Sequence, residues 1–196
     1  MIVVDIDGTI ADHRHREHLL EPQLNVEICK RISCPYLSGN LEHTDEPSCM
    51  RAASCEHKKI TQIQWDAFLD GKQLMKDGVI EYSSEVLGQI GLYHEIVFMT
   101  GRNENTRKAT TLWLKDVFGY TDAINLFMRP ANNREAAEVL KGNLLIQILL
   151  SRSATSNLYA FDDDEMTASV YRKHGFQWFH APRCWDDIYK VMGLFQ

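Results

Sequence analysis

The chain has 196 residues, of which 44% are hydrophobic and 24% are charged, as in an ordinary globular protein. This length suits one domain, with room for a small inserted one. The net charge of -6 argues against non-specific coating of long nucleic acid, although a local arginine cluster can still bind a short nucleic-acid end. No apolar run reaches the roughly 18 residues that a membrane-spanning helix needs.

The start of the chain lacks the basic and then apolar pattern of a secretion signal, because Asp5 follows four residues after Met1. We therefore expect a cytoplasmic protein that has no membrane association, and we infer no stable protein partner. Reduced thiols or a metal site are then favoured over disulfides for the five cysteines. A zinc site is one alternative, although no Cys-x-x-Cys pair occurs; its candidate ligands are Cys34, Cys49, Cys55 and His57, with Cys29 and His43 as substitutes.

The first predicted element is a buried strand over residues 1–6, and the turn signal Asp7-Gly8-Thr9 follows it. Residues 13–77 then differ in character, because they are rich in cysteine, histidine and proline and show little periodicity. Within them, helices are predicted only near 17–30 and 61–69. We interpret 13–77 as a cap-like insertion into a core domain formed by 1–12 and 78–196.

Regular alternation resumes after the insertion. Helices are predicted over 82–92, 104–118 and 134–150, and another ends at His174; Gly119 and Gly175 are typical helix stops. Between them lie predicted strands at 96–99, 124–128, 158–161 and 176–180. Strands that alternate with helices of ten or more residues predict an α/β fold with a Rossmann-like, doubly wound parallel sheet.

Three of the predicted strands end in conspicuous polar residues. Asp5 and Asp7 follow the first, Thr100-Gly101-Arg102 the second, and Asp162-Asp163-Asp164 the fourth. Ligands of doubly wound sheets bind beyond the carboxyl ends of the strands, so these residues are expected to share one site. One member of the acidic run, Asp164, is expected to cap the next helix instead.

The acidic residues at these strand ends predict a cation site. Two carboxylates as close as Asp5 and Asp7 repel each other, and a bound Mg²⁺, with Asp162 and Asp163 as further ligands, offsets that repulsion. One aspartate can then act as a nucleophile while another transfers a proton. A phosphate group would be bound by the hydroxyl and backbone N–H of Thr100, and Lys141 is the candidate that neutralises its charge.

These residues resemble the four motifs of the haloacid dehalogenase-like phosphohydrolases. The matching residues are Asp5-Ile6-Asp7-Gly8-Thr9, Thr100-Gly101-Arg102, Lys141 and Asp162-Asp163. Within that superfamily the chain is most similar to the 3'-phosphatase domain of phage polynucleotide kinase/phosphatases. The residues that carry this similarity are Phe98 to Arg102 with Thr106-Arg107-Lys108, Phe127-Met128-Arg129-Pro130, and Asn133-Arg134 ahead of Lys141. The resemblance covers 1–18 and about 64–185.

The resemblance implies a role for each motif residue. Asp5 is the expected nucleophile, which forms an aspartyl-phosphate, and Asp7 is the expected general acid and then base. Thr100 and Lys141 would hold the phosphate. The implied Mg²⁺ ligands are Asp5, the carbonyl of Asp7, and Asp162 or Asp163. Residues expected to contact the substrate are Gly101, Arg102, Arg129, Arg134, His15 and Arg16.

The expected activity is that of a Mg²⁺-dependent phosphomonoesterase that removes phosphate from polynucleotide 3' ends or from nucleotides. Two alternatives stay open. One is a 5'-nucleotidase or small-metabolite phosphatase of the same fold, and the other is a zinc-stabilised binding module without catalysis. The sequence has no Gly-x-x-x-x-Gly-Lys-Ser/Thr loop, so we expect no kinase activity.

Overall fold

The computed structural model describes residues 1–21, 23–24, 58–60, 62–119, 125–152 and 157–193. The chain divides into two compact units. One consists of Met1–His15 and Leu69–Gln196, and the other of Arg16–Phe68. The bounds of 13 and 77 that the sequence suggests for an insertion stay a prediction.

The described strands are short. They are β1 (Ile2–Val4), β2 (Ala11–Asp12), β3 (Gln23–Leu24), β4 (Lys58–Lys59), β5 (Gly78–Val79), β6 (Ile96–Asn103), β7 (Leu126–Arg129), β8 (Tyr159–Asp162) and β9 (Gln177–His180). Five of them form one sheet in the order β7-β6-β1-β8-β9, and every neighbouring pair is parallel. β1 is therefore central, between β6 and β8, and the predicted parallel sheet is confirmed.

The α-helices in the described part of the chain are α1 (Gln62–Phe68), α2 (Gly71–Leu74), α3 (Ser83–Ile90), α4 (Arg107–Phe118), α5 (Ala137–Leu150), α6 (Ala168–Lys173) and α7 (Arg183–Val191). Short 3₁₀ helices at Glu104–Thr106 and Glu165–Thr167 precede α4 and α6. None of the described helices combines the length and the apolar character that crossing a membrane requires.

Two hydrophobic cores cover the two faces of the five-stranded sheet, because successive residues of a strand point to opposite faces. Ile2 and Val4 of β1 join one core, which also contains buried residues of α3, α4 and α7. Val3, between them, joins the other core, which contains buried residues of α5 and α6. This arrangement is the doubly wound α/β fold that the strand–helix alternation predicts.

The Arg16–Phe68 unit contains little regular structure in its described residues. β3 pairs antiparallel with β4, and α1 confirms the helix predicted near 61–69. The helix predicted over 17–30 is wrong beyond its start, because a 3₁₀ helix at Arg14–Leu20 is followed by strand residues at Gln23–Leu24. Pro22 explains the early end, since proline disfavours helical conformation in the preceding residue.

Several elements of the larger unit differ from expectation. β6 continues through the Thr100-Gly101-Arg102 motif to Asn103, with a shift in its register against β7 between Thr100 and Asn103. The antiparallel pair β2–β5 and helix α7 were not predicted. α7 buries Trp185, whose indole N–H donates to the Thr9 carbonyl at 2.8 Å, so this helix supports the loop that follows β1.

Candidate active site

The carboxyl ends of β6, β1 and β8 bring the predicted site residues together. The Asp5 N–H donates to the Phe161 carbonyl at 2.9 Å, so the contact between β1 and β8 continues past the end of β1. Asp162 is the last residue of β8, and Thr100 lies within β6. These neighbouring strand ends place Asp5, Thr100 and Asp162 at one edge of the sheet.

Three aspartates form a compact acidic cluster at this edge. One carboxylate oxygen from each of Asp5, Asp162 and Asp163 lies within 4.8 Å of the others. Asp5 is 4% exposed and Asp162 is fully buried, so water shields their mutual repulsion poorly. This separation suits a single cation bound by oxygen ligands.

Lys141, from α5, is the ammonium group of this cluster. Its Nζ lies 2.5 Å from Asp162 Oδ2 and 3.2 Å from Asp5 Oδ1, and the side chain is 7% exposed. Burial alone would lower the pKa of Lys141, but the carboxylates of Asp5 and Asp162 raise it above its ordinary value. Lys141 therefore stays charged at neutral pH and bridges two of the three aspartates.

One ammonium group does not balance three carboxylates. Burial raises the pKa of Asp5 well above its ordinary value, and the charges of Asp162, Asp163 and Asp7 act in the same direction, against that of Lys141. Burial also raises the pKa of Asp163, with Asp162 as the next cause. These shifts mark a deficit of positive charge, which the binding of a divalent cation relieves. The residues present therefore fit the Mg²⁺ site that the sequence predicts.

The loop after β1 makes close contact with Asp163. The Thr9 hydroxyl accepts a hydrogen bond from the Asp163 N–H at 3.0 Å and donates to Asp163 Oδ1 at 3.3 Å. Gly8 has a φ of +79°, and a Cβ at this position would lie 2.3 Å from Asp163 Oδ2. Only glycine allows this backbone to approach the carboxylate so closely.

Arg102 is buried between two carboxylates. Its guanidinium is fully buried, and it donates to both carboxylate oxygens of Asp7 and to Asp77 Oδ2 at 2.6 Å. Although burial would lower the pKa of Arg102, the charge of Asp7 raises it. Arg102 therefore forms an ion pair that orients Asp7. Its Nη1 has no hydrogen-bond partner among the described residues, and its expected contact with substrate phosphate stays a prediction.

Thr100 is well placed for the predicted phosphate contact. Its side chain is 1% exposed, and its hydroxyl oxygen accepts a hydrogen bond from the Arg102 N–H at 3.1 Å. The hydroxyl proton is donated to no acceptor among the described residues. It is thus available to an oxygen of a bound ligand.

The remaining side chains predicted to contact the substrate are those of Arg129, Arg134, His15 and Arg16. Arg129 lies beside the Thr100-Gly101 motif, because its Nε donates to the Gly101 carbonyl at 3.2 Å. Arg134 is exposed. His15 lies 3.7 Å from Asp77, whereas Arg16 is fully buried, with its guanidinium over the Phe68 ring. The expected substrate contacts of these four residues stay predictions, and the burial of Arg16 does not favour its contact.

Three residues of this site were not predicted from the sequence. They are Thr9, which contacts Asp163; Asp77, which pairs with Arg102; and Tyr171, which donates to Asp162 Oδ2 at 2.6 Å. Thr9 lies within a recognised motif and could have been found there. Asp164 caps the 3₁₀ helix before α6, as expected. The zinc candidates Cys29, Cys34, His43, Cys49, Cys55 and His57 lie outside the described residues.

Comparisons with known proteins bear on the fold. No family model and no curated protein matches the sequence. A haloacid dehalogenase-like family hydrolase from Streptococcus pneumoniae aligns with 100% of this chain and 97% of its own, with 14% identity and a TM-score of 0.57. A second hydrolase, from S. pneumoniae TIGR4, aligns with 98% of this chain and 97% of its own, with 11% identity and a TM-score of 0.53.

A chain of the Pnkp1/Rnl/Hen1 RNA repair complex is also similar. The alignment covers 92% of this chain, with 15% identity and a TM-score of 0.55. This chain spans 41% of the length of that larger chain. The architecture and these likenesses define an α/β protein with the haloacid dehalogenase-like fold.

Proposed function

We propose that this protein is a Mg²⁺-dependent phosphatase that removes phosphate from a nucleic-acid 3' end through an aspartyl-phosphate on Asp5. The observation that carries the proposal is the buried cluster of Asp5, Asp162 and Asp163, with Lys141 bridging two of its members. A phosphate-transfer site needs a nucleophile next to concentrated positive charge, and this cluster supplies both once a cation is bound.

The chemistry follows from the positions of these side chains. A carboxylate oxygen of Asp5 attacks phosphorus, and the bond from phosphorus to the ester oxygen breaks. Protonated Asp7 gives its proton to the leaving oxygen. Bound Mg²⁺ supplies positive charge to the phosphoryl oxygens, while Lys141 and the Thr100 hydroxyl add a charge and a hydrogen-bond donor.

A second step regenerates the enzyme. Water attacks phosphorus of the aspartyl-phosphate, its proton passes to Asp7, and the bond to Asp5 breaks, which releases inorganic phosphate. The Arg102 guanidinium holds Asp7 by two hydrogen bonds of 2.8 and 2.9 Å. This pair fixes the orientation of the carboxyl group that exchanges the proton.

A small phosphorylated metabolite or nucleotide is the second candidate substrate. Two arginines expected to contact the substrate, Arg102 and Arg16, are buried, so fewer cationic side chains remain to bind a polyanion. The net charge of -6 likewise favours a small substrate over a polyanion. The likeness to a chain of an RNA repair complex instead supports a nucleic-acid end as substrate. A non-catalytic zinc-binding module is less well supported, since it would need no such acidic cluster.

A substrate panel separates the two phosphatase candidates. We expect a 3'-phosphorylated oligonucleotide to be hydrolysed with a kcat/KM at least about tenfold above that of its 5'-phosphorylated counterpart and of free nucleotides. Tenfold corresponds to about 1.4 kcal/mol, within the contribution of one charge-assisted hydrogen bond. Release of inorganic phosphate is measured with Mg²⁺ present. The reverse ranking would support a nucleotidase, and no release from any substrate would contradict the proposal.

Mg²⁺ is expected to stabilise the folded protein more at neutral than at acidic pH. Because burial raises the pKa of Asp5 and Asp163, their protonation favours the folded, metal-free state. That stabilisation is complete below their ordinary value near pH 4 and is lost as pH rises through the raised values.

Protons and Mg²⁺ therefore compete for the same oxygens. At 100 times its dissociation constant, Mg²⁺ should add about 2.7 kcal/mol to the free energy of unfolding at neutral pH, and less at about pH 5. Thermal unfolding with and without Mg²⁺ measures this difference, and NaCl of equal ionic strength serves as the control. An equal or larger Mg²⁺ effect at acidic pH would contradict the competition.

A further inference from the structure

Tyr171 is a buried polar residue that the proposed reaction does not use. It lies in α6, has no exposed surface, and packs edge-on against Phe176 at 6.2 Å between ring centroids. A phenylalanine would satisfy the same apolar surroundings. Burying a hydroxyl is costly unless it is hydrogen-bonded, so the oxygen of Tyr171 needs its own explanation.

That oxygen is bonded to the acidic cluster. The Tyr171 hydroxyl donates to Asp162 Oδ2 at 2.6 Å, in a fully buried contact between a neutral donor and a charged acceptor. Such bonds are shorter and stronger than those between neutral groups. Tyr171 therefore contacts the cluster only through Asp162 and is not itself placed among the reacting atoms.

The hydrogen-bond donors around Asp162 restrict which of its carboxylate oxygens can bind a further ligand. Oδ2 accepts from both Lys141, at 2.5 Å, and Tyr171, whereas Oδ1 accepts the Asp164 N–H at 2.9 Å. A carboxylate offers about four acceptor sites, so Oδ2 has none to spare and Oδ1 keeps one. The carboxylate cannot rotate without breaking buried hydrogen bonds. The one acceptor site left for a ligand is therefore on Oδ1.

Asp163 differs from Asp162 in this respect. Among the described residues, the Thr9 hydroxyl is the one donor from another residue to its carboxylate, to Oδ1 at 3.3 Å. Asp163 thus has free acceptor sites on its side chain, while the orientation of Asp162 depends on neighbouring donors. The removal of a donor should consequently affect Asp162 most.

We propose that Tyr171 is a positioning residue that, by its hydrogen bond to Oδ2, fixes the orientation of Asp162, so that only Oδ1 keeps an acceptor site for the cation. This inference rests on the proposed Mg²⁺-dependent function. Partners that orient a metal ligand commonly affect metal affinity by 10- to 100-fold, about the range expected here.

The test is direct Mg²⁺ binding by isothermal titration calorimetry to the wild type and to Tyr171→Phe. We expect the variant to bind Mg²⁺ with a Kd raised about tenfold or more. Its KM for the phosphorylated substrate should stay unchanged, and its kcat should approach the wild-type value at saturating Mg²⁺. Tyr159→Phe is the matched control, because Tyr159 is a partly buried tyrosine of β8 outside the cluster, and it should bind Mg²⁺ normally.

The outcomes separate this inference from the proposed function. Unchanged Mg²⁺ affinity in Tyr171→Phe, or a kcat that saturating Mg²⁺ does not restore, would overturn the positioning role alone. Absence of Mg²⁺ binding by the wild type would overturn both.

If Tyr171→Phe does not fold, a measurement on the wild type tests the positioning role of Tyr171. With ¹³Cζ-tyrosine labelling, one of the seven tyrosine resonances should shift as Mg²⁺ is added, because Tyr171 shares a carboxylate with the cation. Seven unmoved resonances would overturn the inference.

Discussion

Replacing the nucleophile, Asp5→Asn, should lower kcat by at least about 10⁴-fold, the scale of loss when a covalent catalyst is removed. The amide has nearly the same volume and cannot form the aspartyl-phosphate. It also removes a negative charge from a cluster in which burial already raises the pKa of Asp5. The metal-free variant should therefore unfold at the same temperature as the wild type or at a higher one.

The measurement combines phosphate release with thermal unfolding. Asp116→Asn is the matched control, because Asp116 is an exposed aspartate of α4, and it should leave both quantities unchanged. If Asp5→Asn kept more than about a tenth of the wild-type kcat, another group would have to be the nucleophile. A large drop in unfolding temperature would instead show that lost activity reflects lost structure.

Replacing Lys141 by methionine should affect both stability and activity. The change leaves Asp5 and Asp162 buried without the ammonium group that now lies 3.2 and 2.5 Å from them. Removal of one partner from a buried ion pair costs about 3–5 kcal/mol, so the free energy of unfolding should fall by about that amount at neutral pH. Loss of a charge that binds the phosphoryl group should also lower kcat about 10²-fold or more.

The loss of stability caused by Lys141→Met should depend on pH. Protonation of Asp5 removes the repulsion that Lys141→Met exposes, so the loss of stability should shrink as the pH is lowered. Mg²⁺ should also reduce the loss of stability at neutral pH, because its positive charge offsets the same repulsion. Urea unfolding at several pH values provides the measurement, and Lys115→Met, at an exposed position of α4, is the control. A loss of stability that grows on acidification would contradict this account.

Much of the fold was predictable from local patterns. The strand Ile2–Val4, the helix Arg107–Phe118 and its end at Gly119 all agree with the sequence analysis. They rest on short-range physics, namely the burial of β-branched residues and the left-handed conformation that glycine adopts. α7 was missed although it carries the buried Trp185. An amphipathic helix of nine residues is hard to distinguish from a loop in a single sequence.

The partners of Arg102 could not be predicted from the sequence. Arg102 follows Thr100-Gly101, a position that suggests contact with a phosphate. Its partners are Asp7 and Asp77, which lie 95 and 25 residues away along the chain. An arginine bonds to whichever acceptor lies within reach, and that depends on packing rather than on the neighbouring residues. Nothing local to Asp77 marks it as that partner.

The sequence by itself determined that acidic residues lie at the ends of two strands of a parallel sheet and that Thr100 lies near the end of a third. That much follows from strand periodicity and from the common direction of parallel strands. Only the tertiary structure decided how the charges are shared: Lys141 between Asp5 and Asp162, Arg102 between Asp7 and Asp77, and Tyr171 on Asp162. The reason is that electrostatic and hydrogen-bond partners are set by distances of a few ångströms across elements that are remote in sequence.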